Sequence, residues 1–165
     1  MSGHQRPNRG RSDDWLTPPD LIESLGPFDL DPCASDRQPW RTATVQYTRA
    51  DDGLSKPWQG FVWCNPPFGP EWPVWLERLA DHGKGIALIN ARTETRPFHR
   101  LVWDRADALF FFKGRLHFHR PVTGERASFN AGAPSVLVGY GGTATSRMAG
   151  LQVPGRCIRG WWRTA

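Results

Sequence analysis

Apolar positions along the chain fall into short blocks divided by polar stretches rich in proline and glycine. Four blocks are nearly continuous: "GFVWC" at 60–64, "KGIALIN" at 84–90, "DALFFF" at 107–112 and "APSVLVGYG" at 133–141. Unbroken runs of this length predict strands covered on both faces. Between them the spacing turns helical. "PEWPVWLERLADHG" puts Trp72, Trp75, Leu76 and Leu79 on one face and stops at Gly83, and "ETRPFHRLVWDRA" predicts a helix that starts near its proline. Upstream, "TPPDLIESLG" predicts a short helix that Thr17 can cap and Gly26 ends, and "PFDLDP" a short alternating stretch closed by a turn. Residues 35–59 are polar and mixed, with at most one short strand near "TATVQYT".

From residue 60 onward strands and helices alternate, which predicts parallel strands joined by crossover helices. The last two strands are separated by a segment with no helical pattern, so they predict an antiparallel hairpin. The expected fold class is α/β, a mostly parallel sheet with a C-terminal antiparallel hairpin. Residues 1–12, built of Gly, Pro, Ser and Arg, predict a disordered basic arm; 13–146 form the domain and 147–165 a basic C-terminal tail.

Composition narrows the class. Nine Trp and nine Phe in 165 residues exclude disorder for the body of the chain. No apolar run reaches the roughly 20 residues of a membrane span, and the polar N-terminus lacks a signal-peptide core. A soluble, cytoplasmic protein with no membrane partner is expected. Cys33, Cys64 and Cys157 form no CxxC pair and are odd in number, which predicts reduced thiols and no metal site. The net charge of +5 is concentrated at the ends: residues 1–11 carry +3 and residues 147–165 carry +4, leaving the body at −2. Such ends either suit a polyanionic partner or serve solubility.

The strand "FVWC" runs into Asn65-Pro66-Pro67-Phe68. In open α/β sheets, ligands bind beyond the carboxyl ends of strands. The two prolines fix φ and remove two N–H groups, leaving an acceptor-rich edge: the Asn65 side-chain oxygen and the Pro66 carbonyl, with the Phe68 ring beside them. Two acceptors that take the N–H bonds of a planar amine, such as adenine N6, draw it towards a tetrahedral and more nucleophilic nitrogen. The ring stacks on the base, and in-line attack on a methyl sulfonium then needs mainly positioning. A strand ending in a proline turn is the bland alternative.

Asn-Pro-Pro-Phe resembles the (D/N/S)-PP-(Y/F/W) signature of amino methyltransferases. "DDWLTPPDLIESL", "FDLDPCAS", "YTRADDGLSKPW", "VWCNPPFG", "INARTETRPFH", "KGRLHF" and "APSVLVGYG", in that order over about residues 13–140, together resemble the phage-type DNA N6-adenine methyltransferases. The resemblance implies a compact Rossmann-like fold that uses S-adenosylmethionine, DNA as partner, and methylation of adenine N6 with short or relaxed sequence specificity. With 33 residues between Asp31 and Asn65, the second and third strands are expected to be reduced.

The same resemblance implies site roles. Asn65, Pro66, Pro67 and Phe68 are the catalytic edge, with Asn65 also touching the cofactor. Asp31 is the foremost partner for the cofactor's ammonium group and Asp29 the second, with Pro32, Cys33 and Ala34 completing that turn. Thr17 and Pro18 pack against the cofactor, or simply start a helix. Asp52, of the Asp51-Asp52 pair, contacts the cofactor's ribose or adenine, or is a solvated turn. Arg92, Thr93, Arg96, Lys113 and Arg115 are the expected DNA contacts, with exposed salt-bridged arginines as the alternative. Trp161 and Trp162, between Arg159 and Arg163, either stack on bases or pack on the core. The glycine-rich F-x-G-x-G loop of larger methyltransferases has no counterpart, since "DPCAS" holds no glycine. RNA or protein glutamine as acceptor, and a non-catalytic nucleic-acid-binding protein, are the other functions compatible with these residues. The sequence leaves the oligomeric state open.

Overall fold

The computed structural model describes residues 15–128 and 131–160. The arm expected at 1–12 lies outside the described residues, as do Trp161, Trp162 and Arg163. The strands are β1 (Leu30–Asp31), β2 (Val45–Gln46), β3 (Val62–Cys64), β4 (Gly85–Asn90), β5 (Ala108–Phe112), β6 (Ser135–Tyr140) and β7 (Gly155–Arg159). They form one mixed sheet in the order β2-β1-β3-β4-β6-β5-β7.

The sheet is not mostly parallel. β1 pairs in parallel with β2 and β3, and β3 with β4, but these ladders are short. The long ladders, β4 with β6, β5 with β6 and β5 with β7, are antiparallel. The expected hairpin partners, β5 and β6, do pair. What the local pattern did not reveal is that β6 inserts between β4 and β5, separating two strands that run the same way. β1 to β5 therefore share one direction, and β6 and β7 oppose them. β2 is a two-residue strand, and no other strand occurs in 35–59, so the second strand is reduced and the third has no counterpart there.

Helices cover both faces of the sheet. One layer is α2 (Trp72–His82) with α3 (Arg96–Phe98), which continues as a π-helical turn over His99–Trp103. α2 stops where Gly83 takes a φ of 76°, a conformation glycine adopts at little cost. Leu76, Leu79, Phe98 and Leu101 pack on Cys64, Ala87, Ile89 and Val138. The other layer is α1 (Pro19–Leu25) with α4 (Gly142–Ala149). Leu21, Leu25, Ala144 and Met148 pack on Trp63, Ile86, Leu88 and Leu137. Successive residues of β4 and β6 thus feed opposite cores, which is why their sequences are apolar throughout.

Two readings of the chain ends change. α1 is preceded by Pro18 with no side-chain cap, so Thr17 is not a helix cap. Residues 155–159, counted with the tail, are edge strand β7, and Arg147 is a clamp. Its guanidinium donates to the carbonyls of Leu25 and Pro27 and sits 4.5 Å over the Phe61 ring. Among the described residues no helix is long and apolar enough to cross a membrane, and no cluster of three or more His, Cys, Asp or Glu is placed to hold a metal.

Candidate active site

β1 and β3 are parallel neighbours, so their carboxyl ends open side by side. A cavity of about 810 Å³ lies there, within the range of small-molecule sites. Its floor is the turn that ends β1. Asp31 is 3% exposed. Its Oδ2 accepts the Thr42 hydroxyl at 2.5 Å and its Oδ1 the Cys33 amide at 3.1 Å. Burial pushes this carboxyl up to about 6, against the pull of those two hydrogen bonds. The backbone fixes the turn, with the Tyr47 amide on the Asp31 carbonyl and the Ala34 amide on the Tyr47 carbonyl.

A glycine does reach this turn, from another segment. A Cβ on Gly53 would lie 1.9 Å from the Pro32 carbonyl oxygen. The Asp52-Gly53 backbone therefore crosses directly against the Asp31-Pro32 turn, an approach only glycine permits. The acidic pair is divided by its hydrogen bonds. Asp51 takes the Thr48 amide and hydroxyl at 2.8 Å each, which holds its carboxyl below the usual range. Asp52, at φ 51°, lines the cavity.

Asn65 forms the opposite wall, one residue past β3. Its Nδ2 donates to the Trp15 carbonyl at 3.1 Å. A carbonyl only accepts, so this contact fixes the amide's orientation. Among the described residues Oδ1 is left buried without a partner, and so is the hydroxyl of Thr17, which lines the same cavity. An unmet buried acceptor costs about 1–3 kcal/mol, so these two atoms are open to a polar group that enters the cavity. Cys33 joins the two walls. Its thiol donates to the Asn65 carbonyl at 3.3 Å and lies 3.7 Å from the Cys64 sulfur. The Cys64 thiol, and then burial, hold the Cys33 thiol well above its ordinary range. Phe68 is half-buried and meets Phe118 in a T-shaped contact at 5.6 Å.

The cavity thus gathers Asn65, Pro66, Pro67 and Phe68 with Asp31, Pro32, Cys33, Ala34, Thr17 and Asp52. It leaves out Asp29 and Pro18. The Asp29 carboxylate is taken by the Phe61 amide at 2.6 Å, a clip between the starts of two strands, and Pro18 precedes α1. Arg92, Thr93 and Arg96 follow β4, and Lys113 and Arg115 follow β5, all at the same end of the sheet as the cavity but none lining it. All five are exposed. Arg156 joins that edge, because β7 pairs it with Phe111.

Sequence reasoning missed Thr42, Trp15 and Gly53. Thr42 and Trp15 act across the chain, one through its side chain and one through a carbonyl, and carry no local signal. Gly53 had one, a glycine directly after the acidic pair. No curated protein and no solved structure matches the chain. The sequence model of the DNA N-6-adenine-methyltransferase (Dam) family matches residues 5–147. That match spans the cavity, both of its walls and the Asn-Pro-Pro-Phe edge, and the chain belongs to the DNA N-6-adenine-methyltransferase family.

Proposed function

We propose that the chain transfers the methyl group of S-adenosylmethionine to the N6 amine of adenine in DNA, with short or relaxed sequence specificity. The observation that carries this reading is one cavity that joins a buried carboxylate, Asp31, to an unpartnered amide oxygen, Asn65 Oδ1. The fold supports it as a compact Rossmann-like methyltransferase sheet, interrupted by an antiparallel strand.

The donor set fits the cofactor. A sulfonium and an ammonium are cations, and Asp31 is a carboxylate sunk in the cavity whose ionisation is held back by burial. A cationic ligand favours its charged form. Asp31 would hold the ammonium, the free Thr17 hydroxyl would meet a neighbouring polar group, and Asp52 would take a ribose hydroxyl. When bound, the cofactor supplies an electrophilic methyl group on sulfur.

The chain's own part is positioning. Asn65 Oδ1, turned by Trp15, accepts one N–H of the amine. Pro66 and Pro67 keep the edge extended, and Phe68, steadied by Phe118, offers a ring for the base. Cys33 holds the Asn65 backbone to the cofactor turn, so the two substrates' walls move as one body. No strong base is required, since the proton leaves after transfer.

Amines of RNA or a glutamine amide would suit the same edge. The exposed cations beyond β4 and β5 favour a polyanion over a protein, and membership of the family favours DNA over RNA. The test is to incubate the chain with methyl-labelled S-adenosylmethionine and, separately, unmethylated DNA, single-stranded RNA and a glutamine-bearing peptide, then identify products by mass. N6-methyldeoxyadenosine from DNA alone is the expected product. Label confined to RNA or peptide would overturn the reading.

A further inference from the structure

The connection that leaves β5 packs along the cavity. His119 exchanges backbone hydrogen bonds with Leu16, the Phe118 ring meets Phe68, and the Val122 amide donates to the Arg37 carbonyl at 2.8 Å. Leu16, Phe68 and Arg37 all line the cavity. Residues 120–125 form a tight turn over this rim. Gly124 donates to the Arg120 carbonyl, Arg120 to the Glu125 carbonyl and Thr123 to the Pro121 carbonyl.

Val122 sits in this turn against two ordinary preferences. Its side chain is 66% exposed, more than any other large apolar residue described. Its φ is 70°, and the only other described non-glycine residue at positive φ is Asp52. Aspartate tolerates this region, whereas a β-branched residue is an outlier there. Glycine would relax the turn and remove the exposed isopropyl group together. About two thirds of the residue stays open to solvent, and the surrounding hydrogen bonds hold it at the cavity's edge. The charge around it is mainly positive: residues 113–126 carry Lys113, Arg115, Arg120 and Arg126 against Glu125 alone.

An apolar tip between arginines, beside a pocket for a base, matches one partner. Adenine N6 is reached in a duplex only after the nucleotide is turned out of the stack, which leaves a gap. Apolar side chains that enter a stack offset the unstacking, and nearby cations take the phosphates. We propose that Val122 is a wedge that enters the base stack of duplex DNA beside the extruded adenine, with Arg120 and Arg126 on the flanking phosphates. The proposal rests on reading the chain as an adenine methyltransferase acting on DNA.

The test compares one unmethylated DNA as intact duplex and after heat denaturation, measuring N6-methyladenine formed per unit time. The proteins are the full chain, Val122→Gly and Val122→Ile. Val122→Gly is expected to fold, since glycine adopts this φ freely, and to lower the duplex-to-single-strand rate ratio by about tenfold, because unstacking is no longer offset. Val122→Ile is expected to keep the ratio. An unchanged ratio in Val122→Gly would overturn the wedge while leaving the methyltransferase reading intact, as would a wild type active on single strands only. Absence of N6-methyladenine from both forms with the wild type would overturn the methyltransferase reading and the wedge with it.

Discussion

On one side of the sheet, β4, β5 and β6 are five or six residues long, antiparallel in their pairing with β6 and largely buried. On the other, β1, β2 and β3 are two or three residues long, parallel, and joined by irregular chain. The first half is held by ladder hydrogen bonds and apolar burial. The second has short ladders and adds single polar clips to the burial of Leu30, Val62, Trp63 and Cys64: Asp29 to the Phe61 amide, Thr42 to Asp31, Asn65 to the Trp15 carbonyl, and the Trp58 indole to the Gly53 carbonyl. The cavity belongs to the clipped half. A chain of this size can thus keep stability in one half of its sheet and leave the other to be shaped around a ligand, at the expense of unmet polar atoms such as Asn65 Oδ1.

Substitutions in the two halves should therefore fail differently. The largest effect is expected from Gly53→Ala. Its new Cβ would collide with the Pro32 carbonyl, which forces the Asp31 turn and the Asp52 segment apart. Methyl transfer and cofactor binding should both be lost by calorimetry and activity assay, while the far-ultraviolet spectrum stays that of a folded protein. Next is Leu137→Ala, in the fully buried centre of β6. It should lower stability by about 2–5 kcal/mol in chemical denaturation, with kcat per folded molecule unchanged. Loss of kcat there, or its retention in Gly53→Ala, would break the division.

Asp31→Asn sharpens the comparison with an opposite sign. The folded carboxyl titrates near 6 against an ordinary 3.8, so the folded state binds the proton more tightly than the unfolded one. The stability this provides is present below about pH 4 and lost as pH rises through 6. At pH 7.5 the ionised, ligand-free Asp31 costs about 3 kcal/mol, and Asp31→Asn should melt higher than the wild type there while binding S-adenosylmethionine more weakly. The melting difference should close as the pH falls towards 4. Lower melting of the variant at pH 7.5 would contradict the assignment. The smallest effect is expected outside the cavity. Lys113→Ala with Arg115→Ala should weaken DNA binding and flatten its log-log salt dependence by roughly one to two, with cofactor affinity untouched.

Much of this was legible because it is local. Continuous apolar runs marked β3, β4, β5 and β6, the spacing of Trp75, Leu76 and Leu79 marked α2, and Asn65 stood out as a polar residue directly after an apolar strand, whereas Asp31 was singled out by the resemblance of "FDLDPCAS" to a cofactor motif. Strand order was not legible, because insertion of β6 between β4 and β5 is decided by packing between segments far apart in sequence. β7 escaped notice since "GRCIR" offers only Cys157 and Ile158 between two arginines, at the edge of the sheet, and has no buried run. "DLD" offered two carboxylates, and only the register of β1 beside β3 decides that Asp31 reaches the cavity while Asp29 is spent on a backbone amide. Thr42 and Trp15 serve through contacts that no spacing rule announces.

The account turns on Asn65 as the acceptor edge for the amine. The direct test is methyl transfer to unmethylated DNA by the wild type and Asn65→Ala side by side, with S-adenosylmethionine binding measured on both. N6-methyladenine made by the wild type, and reduced by on the order of 10²–10³-fold in a variant that still binds the cofactor, is the predicted result. Methylation by Asn65→Ala at the wild-type rate would contradict it and move the chemistry away from the Asn-Pro-Pro-Phe edge.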